Sequence, residues 1–340
     1  MTKKTDYDFF ESQTDQWVKK LGKDKLIAVL RQMLLIRHFE IRAESAYQRG
    51  DVGGFFHAYM GQEAIQTAAV NAIGSADNWW ITTYRCHALA SLLGATPDEM
   101  MAELYGKTTG NAQGRGGSMH FYTDRMLGGF GIVGGHLPVA TGAAFSLKYQ
   151  KQDGVAVCFL GDGAVAQGAV HESLNLAALW DLPCIYVIEN NHWGMGTAVK
   201  RAICISPIAE NLAKSYGISA YTFDGMDFFS CYNGFSHVRD EVKKTGRPVL
   251  IEAVTERFRG HSISDPALYR PKSELERAKS RDPIHLFANE LQKRKMLSEK
   301  EFEELEKEQK ALAVASMKFA EKGPDPDPIT LEEGVFAPEG

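Results

Sequence analysis

The stretch from residue 155 to 197, VAVCFLGDGAVAQGAVHESLNLAALWDLPCIYVIENNHWGMGT, constrains this chain more than any other. A short apolar, β-branched run at 155–160 reads as a buried strand, Gly161-Asp162-Gly163 interrupts it, and helical spacing follows over 167–179. A second apolar run at 184–188 ends on Glu189-Asn190-Asn191. Two strands joined by a helix-length crossover make a β-α-β unit with parallel strands. In open parallel sheets the ligand lies beyond the carboxyl ends of the strands, where Asp162 and both asparagines fall. The glycines let backbone approach a ligand, and the following helix turns free N–H groups toward an anion. Asp162 and one asparagine offer hard oxygen donors to Mg²⁺, an ion that keeps phosphate oxygens and water as its other ligands. GDG alone is a common tight turn. With the asparagines one helix and one strand later, the stretch reads as a site for Mg²⁺ carrying a diphosphate.

At 340 residues and 44% hydrophobic, the chain can bury a full α/β core. A net charge of −5 and a pI near 6.1 argue against nucleic acid as the main partner. No apolar run reaches membrane-spanning length, and the acidic start lacks a secretory or transit-peptide pattern. That start, with scattered Cys86, Cys158, Cys184, Cys204 and Cys231, predicts reduced thiols in a bacterial cytoplasmic protein, or an organelle-matrix protein if the chain is a processed form. Four parts are expected: an N-terminal extension (1–22), an α/β domain (23–270), a helical segment packed on it (271–322), and a stiff Pro-Asp linker with a tail (323–340), the tail laid on a partner.

Apolar spacing over 23–49 predicts a long amphipathic helix, and 62–73 a second. His57 stands among aromatics at the mouth of the second helix, a place where histidine more often packs or caps. WWITT at 79–83 reads as a strand with Tyr84 and Arg85 at its end; an arginine there can grip phosphate oxygens bidentately or merely pair with a surface carboxylate. Glycine density over 106–135 predicts loops that are mobile or wrapped over a ligand. Gly129 to Gly134 also fits GxGxxG, the fingerprint of an NAD-dependent dehydrogenase, but no convincing strand precedes it. His120 and His136 read as structural, and His87 as a weak site candidate. Small residues over 140–144 predict a close helix contact. Helix, strand, helix and strand are expected over 209–216, 218–223, 229–245 and 248–255, then a polar loop and two or three charged surface helices.

GDGA…ENN, together with FFHAYMGQEA, TTYRCHALA, GRGGSMHFY, GGFGIVGGHLP and RGHSISDP in this order, resembles the E1 α-subunit family of thiamine-diphosphate-dependent 2-oxo acid dehydrogenases, pyruvate dehydrogenase E1 above all. The likeness covers roughly residues 30–335. It implies a thiamine-diphosphate-binding α/β fold, a mostly parallel central sheet with helices on both faces. It implies pyruvate as substrate, the lipoyl domain of the E2 acetyltransferase as acceptor, and an α2β2 heterotetramer with an E1 β subunit. By the same likeness, Asp162, Asn191 and the backbone carbonyl of Trp193 hold Mg²⁺. Tyr84, Arg85, Gly163, Ala164, Gln167, Asn191 and His261 bind the cofactor; Gly131 and Val133 offer backbone to its aminopyrimidine, and Met195 wedges the two rings into a bent shape. His57 and His261 are the catalytic candidates. Acetoin dehydrogenase is the close alternative, with Tyr84 before Arg85 favouring pyruvate; the branched-chain enzymes fit GGSMH and YRCH poorly. Ser262 matches one regulatory serine of the mammalian chains, but Ala198 and a shortening at Ala267-Leu268 remove the others and Arg259 replaces a histidine, so kinase control is not carried over.

Overall fold

The structure, a computed structural model, describes residues 7–333 together with 335 and 337. Helix α1 (Thr14–Arg49) is broken at Gly22, whose φ of 74° no helix contains. Then come α2 (Glu63–Ile73), β1 (Trp79–Thr83), α3 (His87–Leu92) and α4 (Pro97–Leu104), the last started by a reciprocal Thr96–Glu99 capping box. β2 (Met126–Phe130), α5 (Leu137–Tyr149), β3 (Ala156–Gly161), α6 (Gly168–Leu179) and β4 (Cys184–Asn190) follow. A short hairpin of β5 (Trp193–Gly194) and β6 (Thr197–Ala198) leads into α7 (Val199–Ala202) and α8 (Ile208–Lys214). β7 (Ser219–Asp224), α9 (Phe228–Thr245) and β8 (Val249–Val254) complete the alternation, and α10 (Lys272–Lys279), α11 (Pro283–Lys293) and α12 (Glu299–Lys322) close it.

One six-stranded sheet has the order β2-β1-β3-β4-β8-β7, and each neighbouring pair is parallel. Side chains alternate across it and seed two cores. Val157, Phe159, Ile185 and Val187 face the layer of α1, α2 and α9, while Cys158, Leu160, Tyr186 and Ile188 face that of α5, α6 and α8. Burial on both faces is why the strands read as continuous apolar runs; a side chain such as Phe159, with no exposed surface, contributes about 1.5–3 kcal/mol. The chain leaves β1 toward β2 on one side and leaves β3 toward β4 on the other. The strand order therefore reverses between β1 and β3, and a crevice opens there at their carboxyl ends.

Several expectations are corrected. A strand does precede the GxGxxG stretch: MLGGF forms edge strand β2 despite its glycines, because β1 supplies the backbone partners. Gly129 lies inside that strand, where a Cβ would sit 2.5 Å from the Cys86 sulfur, and helix α5 starts only at Leu137. The first glycine loop is not loose. The buried Glu103 carboxylate accepts N–H bonds from Ala112, Gly114, Gly116 and Gly117 at 2.7–3.1 Å. Residues 324–333 run along this chain's own loop: Thr108 donates to the Pro324 carbonyl, and Arg115 to those of Thr330 and Glu333. The tail's placement on a partner falls otherwise on residues mostly outside those described. Residues before Gly22 also pack on the sheet, with Phe10 donating to Thr222 and Trp17 buried. All five cysteines are free thiols, Cys204 alone being exposed. No helix among the described residues is long and apolar enough to cross a membrane.

Candidate functional site

A cavity of about 400 Å³ fills the crevice beyond β1, β3 and β4. Its walls bring together Tyr84, Arg85, Val133, Asp162, Gly163, Ala164, Gln167, Asn191, Trp193, Met195 and His261, residues drawn from five separate segments. His57 stands behind Tyr84, ring centroids 4.4 Å apart, and 5.1 Å from the ring of His261. Gly131 follows the lining residue Phe130 and packs against His120. Asn190, by contrast, is the last residue of β4 and donates to Glu252 at 2.7 Å, away from the cavity. His87 is equally remote, paired with Glu40. Ser262 is buried, its hydroxyl 2.9 Å from that of Ser264.

Asp162 follows directly on β3 inside the protein, 2% exposed, and its Oδ2 has no hydrogen-bond partner. Burial pushes its carboxyl up to about 6, held back by the N–H groups of Asp162 and Asn191 and by the Arg257 and Arg85 guanidiniums. Asn191 accepts from Trp193 N at 3.3 Å and donates to Gln62 at 3.1 Å. One carboxylate, one amide oxygen and the Trp193 carbonyl are hard donors of the kind Mg²⁺ uses. Among the described residues no three His, Cys, Asp or Glu converge to hold a metal by themselves. Gly163 and Gly194 approach so closely that a Cβ on Gly163 would lie 3.1 Å from the other's Cα.

Two arginines dominate the electrostatics. Arg85, 5% exposed, donates to the carbonyls of Ala58 (2.7 Å) and His261 (2.6 Å). Arg257, 1% exposed, donates to those of Trp193 (3.2 Å) and Met195 (2.8 Å) and to the Tyr269 hydroxyl (2.6 Å). Among the described residues neither forms an ion pair with a carboxylate. Burial, then Arg85, bring Arg257 down to about 10. Burial and the same guanidiniums bring His57 to about 3 and His261 to about 4, so both imidazoles are neutral at pH 7. Met195 and His192 are held at φ of 53° and 68°, strained values for residues other than glycine. Met195 is 64% exposed and projects into the cavity, which rules out core filling as its role.

Sequence reading missed Arg257, Gln62, Glu189 and His136 as cavity residues. Arg257 sat in a loop whose Arg, His and Ser content was visible, but its inward direction was not. Glu189 adjoined Asn190-Asn191; its side chain, pushed up to about 7 by burial and drawn back by Tyr59 and Arg85, accepts from the Tyr59 hydroxyl. His136 donates to the Phe159 carbonyl at 2.7 Å and leaves Nδ1 without a partner.

Residues 31–329 match the family described as Dehydrogenase E1 component. Proteins named pyruvate dehydrogenase E1 component subunit alpha are similar along nearly the whole chain. That of Rickettsia felis is 41% identical over 319 residues, 93% of this chain and 97% of the other. That of Rhizobium meliloti is 39% identical over 322 residues, 94% and 92% of the two chains. The chloroplastic alpha-3 subunit of Arabidopsis thaliana is 37% identical over 325 residues, 93% of this chain and 76% of its own.

Proposed function

The chain belongs to the Dehydrogenase E1 component family, and from that premise we propose that it is the α subunit of a pyruvate dehydrogenase E1. The reaction is oxidative decarboxylation of pyruvate, with the acetyl group passed to the lipoyl group of an E2 acetyltransferase. An E1 β subunit completes an α2β2 assembly, in a bacterial cytoplasm or an organelle matrix.

The observation that carries the reading is a buried carboxylate with an idle oxygen sharing one cavity with two buried guanidiniums that have no carboxylate partner. Unpaired buried charges of both signs are costly unless a ligand answers them. A lone cation is opposed by the arginines and a lone anion by Asp162; Mg²⁺ with a diphosphate answers both. Thiamine diphosphate, when bound, supplies the electron sink that decarboxylation requires. In this chain Asp162, Asn191 and the Trp193 carbonyl would hold the cation. Tyr84, Arg85, Gly163, Ala164 and Gln167 would serve the diphosphate, with Gly131, Val133 and Met195 at the ring end. His57 and His261, neutral and adjacent, suit accepting a proton at one ring nitrogen and donating from the other.

Reconstitution with a cognate β subunit, lipoyl acceptor, thiamine diphosphate and Mg²⁺ tests this. Turnover of pyruvate well above acetoin and branched 2-oxo acids is expected, with the isolated α chain inactive. Preference for acetoin would move the assignment to acetoin dehydrogenase, and saturable NADH binding without a thiamine diphosphate response would overturn it.

A further inference from the structure

Away from the cavity, three buried side chains stand in line. Glu40 of α1, His87 at the start of α3 and Ser118 beside the glycine loop are 0%, 1% and 3% exposed. His87 Nδ1 lies 3.0 Å from Glu40 Oε1, and its Nε2 lies 2.9 Å from Ser118 Oγ and 3.0 Å from the Ser118 carbonyl. With the proton on Nδ1, His87 donates to Glu40 and accepts from the serine hydroxyl. Carboxyl, imidazole and hydroxyl in that order resemble a nucleophile relay. Here Ser118 is closed off, and the cavity beside His87 holds only ≈ 10 Å³, too little for any substrate. None of the three lines the large cavity.

What the row does is join two walls of that cavity to the His57 segment behind them. The same Glu40 Oε1 accepts the N–H of Tyr59 at 3.0 Å, two residues beyond His57. His87 follows Tyr84 and Arg85 by one short step of chain. Ser118 begins the segment on which β2 rests: Gly129 N donates to the Phe121 carbonyl at 2.9 Å. A Cβ on Gly129 would lie 2.6 Å from the Met119 carbonyl, and one on Gly131 would lie 3.6 Å from His120 Nε2. Three segments, one carrying His57 behind Tyr84, one carrying the lining residues Tyr84 and Arg85, and one carrying Gly131 and Val133, are thus tied through two side chains.

We propose that Glu40 and His87 are positioning residues: a buried strut that fixes the His57 segment against the Gly131–Val133 backbone, and so sets the His57 imidazole, and the Tyr84 and His261 rings it packs on, relative to the cofactor's ring. The inference rests on the thiamine-dependent reading given above for that cavity. Its geometry is demanding because a displacement of about 1 Å at a reacting centre costs about a hundredfold in rate.

The test uses the complete complex with β and Mg²⁺. His87→Asn keeps a donor toward Glu40 but falls short of Ser118, His87→Gln reaches Ser118 instead, and Ser118→Ala removes only the hydroxyl. Thermal unfolding, calorimetric thiamine diphosphate affinity, the near-ultraviolet circular dichroism of the bound cofactor, and kcat and KM for pyruvate are read for each. For His87→Asn the expected result is a kcat lowered by about a hundredfold, with KM within about twofold and an altered cofactor dichroism. His87→Gln should recover part of that loss, and Ser118→Ala should show a weaker form of it. A variant that unfolds earlier yet keeps the parental dichroism, affinity and kcat assigns the strut to stability alone and overturns the proposal. Should His87→Asn fail to assemble, Ser118→Ala decides by the same criteria. Absence of thiamine diphosphate binding by the unaltered complex is a separate outcome, and it removes the functional reading together with the strut's role.

Discussion

Arg270 is buried much as Arg85 and Arg257 are, and Arg37 is largely covered with 15% of its side chain exposed, yet the two pairs are solvated by the protein in opposite ways. Arg37 meets Glu63 (2.5 Å) and Asp282 (2.7 Å), and Arg270 meets Glu256 (3.2 Å) and Glu274 (2.9 Å). Burial works against the charge of Arg37, but Glu63 and Asp282 more than offset it and raise its pKa. Arg85 and Arg257 meet only uncharged acceptors, carbonyls, the Tyr269 hydroxyl and, at 3.5 Å, His261 Nδ1, and Arg257 is lowered to about 10. The first pair is complete within the chain and holds α1 and α10 to their neighbours. The second is left charged and unneutralised beside a cavity, which is how an anion site differs from an internal tie.

That contrast is sharpest in stability. Arg37→Met strands the buried Glu63 carboxylate and is expected to cost about 3–5 kcal/mol in denaturant unfolding, with thiamine diphosphate affinity within a few-fold of the parent. Arg85→Met should reverse the pattern: affinity in the α2β2 complex falls by about a hundredfold, or about 2.7 kcal/mol, for a smaller loss of stability. Equal stability losses for the two substitutions would erase the distinction.

Asp162 extends the comparison to pH. Its carboxyl is raised in the folded chain, so the folded state binds the proton more tightly than the unfolded one does. The stability it confers on cofactor-free protein is full below pH about 4 and is lost as pH rises through about 6. Asp162→Asn should remove that loss, leaving the apo chain about 2 kcal/mol more stable at pH 8 while abolishing Mg²⁺-dependent cofactor binding. His57 and His261 act oppositely, since their lowered values give stability that is present above about 6.5 and lost as pH falls toward about 4 and below. The comparison with Asp162→Asn at each pH cancels them; an unchanged pH profile in that variant would contradict the buried, unpartnered state of Asp162. The smallest effect is expected at Met195, where Met195→Leu should alter stability by less than about 0.5 kcal/mol because the side chain is exposed.

Much of this was legible in the primary structure. Strands buried on both faces announce themselves as unbroken apolar runs, so β1, β3, β4 and β8 fell within a residue or two of their positions, as did the partly exposed edge strand β7. Edge strand β2 did not, because MLGGF carries little strand preference and owes its conformation to a partner strand 46–47 residues upstream in register, Trp80 beside Met126 and Thr83 beside Phe130. The inward aim of Arg257 and the grip of Glu103 on four loop N–H groups were likewise invisible, since each depends on segments distant in the chain.

By itself the sequence determined the alternation of strands and helices and the chemical kinds of residue at the strand ends, because periodicity and composition are local properties of a chain. Only the tertiary structure decided which charges would be neutralised and which kept free. Whether a buried guanidinium finds a carboxylate, as Arg270 does, or only carbonyls, as Arg85 does, depends on what other segments bring within a few ångströms, and electrostatic energy in a dry interior is set by those distances.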